Sequence, residues 1–132
     1  MAKIRIVIVT PETTTLDQMV DEVTLPLFDG EAGVLADHAP MIARLGPGEL
    51  RIQTDSSTER FYVDGGFAQI DNNVVSVLTG KSMPAGEISL ATARKSLDAA
   101  ENLPKSNPQL MELRDKAIKQ ATTQIRMAER SS

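Results

Sequence analysis

Residues 48–80 read GELRIQTDSSTERFYVDGGFAQIDNNVVSVLTG, and their punctuation decides the fold. Short β-branched and apolar runs at 48–54, 60–66, 67–73 and 74–80 are separated by the turn signals TDSS, DGG and DNN. That pattern predicts consecutive strands joined by tight turns. Asp71-Asn72-Asn73, between Ile70 and Val74, predicts a tight hairpin, because Asp and Asn accept positive φ more readily than other residues with a side chain.

Working outward, KIRIVIV at 3–9 alternates, with Ile4, Ile6 and Ile8 on one face, as a half-buried strand requires. MVDEVTLPLF at 19–28 predicts another strand, and Pro26, which has no N–H to give a ladder, predicts an edge or a bulge within it. GEAGVLADHAPM at 30–41 reads as a loop. Six or more strands at this spacing predict two antiparallel sheets packed face to face.

The pattern changes at GKSMPAGE, 80–87, where Gly80, Pro84 and Gly86 predict a hinge. Beyond it, Leu90, Ala93, Leu97 and Ala100 recur at helical spacing, predicting a helix over about 88–101. A second helix, over about 108–130, is predicted by the stripe Leu110, Leu113, Ala117, Ala121, Ile125 and Ala128. Its start has two candidate caps: Asn107 with Pro108 as the first helical residue, or a Ser106–Gln109 capping box. The fold class expected is therefore α+β: an antiparallel β-sandwich over 1–84, then an antiparallel two-helix hairpin over 85–132. The helical stripe is rich in alanine and buries few methylenes, so the hairpin is expected to be weakly held and able to re-pack.

Composition narrows the function. The chain has 132 residues, no cysteine and a net charge of −4, with 41% hydrophobic and 24% charged residues. These proportions suit one folded core with a small appendage. The first 84 residues carry six Lys/Arg against twelve Asp/Glu, and the remainder carries eight against six. With that acidic sandwich, and no basic run interleaved with aromatics, no nucleic-acid partner is expected. There is no signal-peptide pattern and no apolar run of membrane-spanning length.

His38 is the only histidine. Asp37 is adjacent, but neighbours on an extended loop point apart, and no G-x-S-x-G elbow is present. One histidine and no cysteine give no recognisable metal-ligand spacing. Gly80-Lys81-Ser82 matches only the tail of a phosphate-binding loop, and Pro84 and Gly86 oppose the helix it needs. No catalytic, cofactor or metal site is expected. The second helix is more informative: Arg114, Lys116, Lys119, Arg126 and Arg130 outnumber Glu112, Asp115 and Glu129. That balance fits either a solvated face with i,i+4 ion pairs or a surface for an acidic partner.

LPLFDGEAGVLADHAPMIARLGPGELRI followed by FYVDGGFAQIDNNVVSVL, then a hinge and a helical hairpin, closely resembles the epsilon subunit of F-type ATP synthases, the equivalent of the mitochondrial delta subunit. The resemblance covers essentially the whole chain and rests on Gly30 to Leu35, His38-Ala39-Pro40, Pro47-Gly48 and Gly65-Gly66-Phe67 in that order. It implies a noncatalytic rotor subunit, peripheral on the cytoplasmic side of an energy-coupling membrane, a bacterial plasma membrane or alternatively a thylakoid. Its implied partners are the gamma subunit, the polar loops of the c-ring and, through the hairpin, the catalytic beta subunits with alpha. The implied docking loop holds Gly30, Glu31, Gly33, His38 and Pro40, and the implied inhibitory face of the second helix holds the five basic residues above. Family members that bind ATP carry Ile/Leu-Asp-x-x-Arg-Ala at the start of the first helix. Here Ile88 and Ala93 match, while Ser89 and Thr92 replace the Asp and Arg, so ATP binding is expected to be absent or very weak. Two other classes compete: a free-standing β-sandwich binding module with a helical dimerisation tail, and a small hydrolase using His38 with a carboxylate.

Overall fold

The computed structural model describes residues 2–131, with side chains through 130. The chain divides into two compact units, Met1–Pro84 and Ala85–Ser132. The first contains eight strands: β1 (Ile4–Val9), β2 (Thr14–Val20), β3 (Glu22–Leu27), β4 (Gly30–Val34), β5 (Met41–Thr54), β6 (Ser57–Asp71), β7 (Val74–Leu78) and β8 (Ser82–Pro84). The hydrogen-bonded order is β2-β1-β7-β6-β5-β3-β4, with β8 on β6.

The long β5–β6 hairpin belongs to both layers of the sandwich. Phe67–Asp71 of β6 pair with β7, while Phe61–Val63 pair with β8. On β5, Leu45 and Arg51–Gln53 face β3. The core cluster lies between the layers: Ile4, Ile6 and Ile8 from β1, Val23 and Leu25 from β3, Leu50 and Ile52 from β5, Val63 and Ile70 from β6, and Val75 and Val77 from β7. Alternation along β1 therefore reports its buried face faithfully.

Several strand expectations need correction. The sheet is mixed, because β1 pairs with β7 in parallel, from Arg5 opposite Val74 to Val9 opposite Leu78. A tight turn forces antiparallel neighbours, but β1 and β7 are joined through the whole of β2–β6, so no local signal fixes their sense. DGG is no turn: Gly65 (φ +81) and Gly66 (φ +101) bend one continuous β6 whose pairing with β5 stays in register. β5 likewise starts at Met41 rather than at 48. The single strand expected over 19–28 breaks at Asp21 into β2 and β3, and residues 30–34 of the expected loop form β4. The hinge stretch holds β8 and one 3₁₀ turn, Ala85–Glu87.

Pro26 marks an irregularity, since the β3–β5 register shifts between Thr24 and Leu27. The backbone of Gly48 passes so near Pro26 that a Cβ there would lie 2.5 Å from the ring. The DNN turn forms as expected, with Asn72 and Asn73 at φ +50 and +61.

In the second unit, α1 (Leu90–Glu101) and α2 (Pro108–Ser131) pack on each other. The Ser89 hydroxyl caps α1 by accepting from the Thr92 N–H at 3.2 Å. Asn107, not Ser106, caps α2: its Oδ1 accepts from the Leu110 N–H at 2.9 Å, and Pro108 takes the first helical position, where a missing N–H costs nothing. Ala93, Ala100 and Ala121 are buried. The expected stripe fails at Leu113, which is 62% exposed. Arg114 replaces it, and its guanidinium donates to the Glu101 carbonyl at the end of α1, 3.4 Å away. Thr123 and Met127, absent from the expected stripe, are buried as well.

Candidate docking and regulatory surfaces

The 30–40 segment is built as a strand followed by a pinned turn. Gly30 enters β4 at φ +148. Glu31 receives Nη1 and Nη2 of Arg51 at 3.1 and 3.2 Å. Since β3 lies between β4 and β5, this pair spans a strand, over Thr24 and Gly33. Arg51 also donates to Glu49 at 3.2 Å, and Arg60 donates to the same carboxylate. Glu31, Arg51, Glu49 and Arg60 thus form a chain of alternating charge, with Glu49 buried in its middle. Glu31, then Glu49, holds the Arg51 guanidinium proton more firmly than usual.

Beyond β4 the chain turns at Asp37, which adopts φ +67. The Asp37 N–H donates to Asn73 Oδ1 at 2.6 Å, and Asn73 Nδ2 donates back to Asp37 Oδ1 at 3.4 Å. Two positive-φ turns, distant in sequence, therefore brace each other. The His38 N–H donates to the Leu35 carbonyl at 3.3 Å, and His38 Nδ1 lies 2.7 Å from the Ala39 carbonyl. A carbonyl accepts only, so Nδ1 carries a proton and donates it to Ala39. Among the described residues, His38 and Asp37 share no hydrogen bond, and no three His, Cys, Asp or Glu side chains gather as a metal site. Pro40 is exposed just before β5. Gly30, Glu31, Gly33, His38 and Pro40 are therefore parts of two structures: Gly30, Glu31 and Gly33 on β4, and His38 and Pro40 after it.

In the helical unit, Lys116, Lys119, Arg126 and Arg130 are exposed on α2. Arg114 does not share their surface, being half-buried against the end of α1. Ser89 and Thr92, which stand at the charged positions of the ATP motif, are joined as the α1 cap, while Ile88 and Ala93 are buried.

One surface escaped the sequence reading. Exposed Ile42 on β5, Phe67 on β6 and Leu78 on β7 share an outer sheet face, and exposed Phe28 follows β3. Arg44 stands opposite Phe67, Phe67 opposite Leu78, and Leu78 opposite Val9. Leu78 and Val9 also line a shallow groove of about 310 Å³ with Thr10, Pro11, Thr79 and Gly80. The signal was present as the alternation of Ile42 and Arg44, but it is visible only once β5 is known to begin at Met41.

Residues 3–85 match the family described as the beta-sandwich domain of the ATP synthase delta/epsilon chain. An ATP synthase epsilon chain from Rhodopirellula baltica is 50% identical over 123 residues, which is 93% of this chain and 96% of that one. One from Granulibacter bethesdensis is 44% identical over 76% of each chain. A chain in the structure of the Euglena gracilis mitochondrial ATP synthase, solved with OSCP, F1 and c-ring, superposes with a TM-score of 0.81 at 24% identity, covering 93% of this chain and 79% of that one. That last likeness concerns the fold.

Proposed function

This chain belongs to the ATP synthase delta/epsilon family, and on that premise we propose that it is a noncatalytic rotor subunit of an F-type ATP synthase. The β unit joins the gamma subunit to the polar loops of the c-ring, and the helical hairpin restrains ATP hydrolysis at the catalytic beta and alpha subunits. The chain would then lie peripherally on the cytoplasmic side of an energy-coupling membrane. The observation that carries this reading is the 50% identity to an epsilon chain running through both units, not the sandwich alone.

The geometry suits the role. A turn braced by the Asp37–Asn73 exchange holds His38 with Nδ1 occupied and Nε2 available, so the loop meets a partner already ordered and loses little entropy on docking. Both Glu31 carboxylate oxygens are committed to Arg51, while the side chain stays more than half exposed to a partner. On α2, Lys116, Lys119, Arg126 and Arg130 supply the positive field suited to an acidic segment of beta, and Arg114 contributes to hairpin packing instead.

The test is assembly and proton-coupled hydrolysis of the reconstituted complex carrying Glu31→Ala with His38→Ala. Weakened coupling is expected. Because Glu31→Ala also frees Arg51, Arg51→Ala serves as the comparison: coupling as in the wild type for the double variant would refute the docking role, and equal defects in both would assign the effect to the internal ion pair.

A further inference from the structure

We propose that Arg44 is a specificity residue of the docking face: seated on the Phe28 ring, it receives a carboxylate that the shaft subunit of the rotor presents among apolar side chains. The inference rests on the rotor reading and deepens it by naming the chemistry of one contact. It begins with the ion pairs of the β unit. Among its described cations, Lys3 is paired with Asp21 and Asp55, Arg5 with Asp17, Arg51 with Glu31 and Glu49, and Arg60 with Glu49. Arg44 and Lys81 have no carboxylate within ion-pair distance, although twelve Asp and Glu residues lie in the first 84 positions; Lys81 lies between β7 and β8, whereas Arg44 stands on β5. The Arg44 guanidinium carbon instead lies 4.4 Å from the centroid of Phe28.

The pair is held in place by the backbone. The Phe28 N–H donates to the Arg44 carbonyl at 2.9 Å, tying the turn that carries the ring to the strand that carries the cation. Around them stand Ile42, 74% exposed, and Phe67 and Leu78, each more than half exposed. A guanidinium surrounded by exposed apolar side chains keeps its charge accessible, and covering the face would remove water from any ion pair formed there. A carboxylate would then be drawn strongly to Arg44, whereas a neutral or cationic group would leave the guanidinium desolvated without compensation. The neighbouring field is acidic, since the first 84 residues carry a net −6 by formal count, so Arg44 is where this face accepts negative charge. The occupant is the shaft rather than the ring: polar ring loops suit the 30–40 segment, while an apolar band crossing β5, β6 and β7 suits a broad apolar partner surface.

The full-length chain is bound to enzyme depleted of this subunit, and the Kd is measured at two ionic strengths. Arg44→Ala is expected to weaken binding roughly 10-fold and Arg44→Glu roughly 100-fold, with Arg44→Lys between wild type and Arg44→Ala. The salt dependence of the wild type is expected to flatten in Arg44→Ala. Phe28→Ala is expected to weaken binding several-fold by releasing the guanidinium from its seat. Thermal melts of each variant verify folding, and all these side chains are solvent-exposed. If Phe67→Asp abolishes binding while Arg44→Glu binds within twofold of wild type, the face docks but carboxylate recognition is overturned. If Phe67→Asp also binds as wild type does, the docking face itself is refuted.

Discussion

Gly66→Ala should be among the most damaging single methyl additions to the β unit. Gly66 sits at φ +101 within β6, where an L-residue is strained by roughly 1–2 kcal/mol. Its new Cβ would lie 2.0 Å from the Leu78 carbonyl oxygen and 3.0 Å from both the Leu78 carbonyl carbon and Thr79 Cα. These are backbone atoms of the neighbouring strand end, so no rotamer change relieves the clash. β6 and β7 must separate where Phe67 faces Leu78, losing ladder hydrogen bonds worth roughly 1 kcal/mol each and loosening the packing below. Together these give about 3–5 kcal/mol, a large share of the roughly 5–15 kcal/mol that holds a domain folded. Gly80→Ala meets no atom within 4 Å and has no positive φ, so its cost should stay below about 0.5 kcal/mol. Urea unfolding of the three proteins, followed by a β-sheet signal, provides the comparison. A Gly66→Ala stability within 1 kcal/mol of wild type, or equal to that of Gly80→Ala, would refute the reasoning.

Other outcomes follow from single contacts. The Lys3 ammonium, and then the Asp55 N–H, hold the Asp21 carboxyl below its ordinary value. Its stabilisation is therefore present above the unfolded carboxyl pKa of about 3.9 and is lost as pH falls through the lower folded value. Asp21→Asn should accordingly be less stable than wild type at pH 7, with the gap closing below about pH 4; a gap independent of pH in acid titration of the unfolding midpoint would contradict this. Asn107→Ala removes the α2 cap and should cost about 1 kcal/mol, read as lost helical circular dichroism on warming, whereas Ser106→Ala should cost almost nothing. Calorimetric titration with ATP should show no saturable micromolar binding, because Ser89 and Thr92 supply a helix cap where a charged pair would be needed.

What the sequence disclosed, and what it hid, divides by range of interaction. Features set within a few residues were legible: the alternation of Ile4, Ile6 and Ile8, the Asn72-Asn73 turn, and a helix start near Pro108, although the choice of Asn107 over Ser106 as its cap came only from the fold. Features set by distant partners were not. The parallel β1–β7 pair, the ion chain from Glu31 to Arg60, and the bracing of Asp37 by Asn73 all join residues far apart in sequence. Glycine was ambiguous for a different reason. Gly65-Gly66 supplies positive φ equally well to a turn or to a bent strand, and only the neighbouring strand end decides which. The α2 stripe shifted from Leu113 to Arg114 because a long arginine stem can pack as a hydrophobe while its head reaches a helix end. The residues proposed for docking could be picked out one by one in the sequence, but the commitment of Glu31 to Arg51 could be seen only in the fold.

The central claim, a docked β body carrying a regulatory hairpin, is tested most directly by the ATP hydrolysis rate of the assembled enzyme containing this chain with Lys116, Lys119, Arg126 and Arg130 changed to Glu. Faster hydrolysis, with the subunit still bound in full stoichiometry, is predicted. A rate equal to that of the wild-type complex at the same occupancy would contradict it.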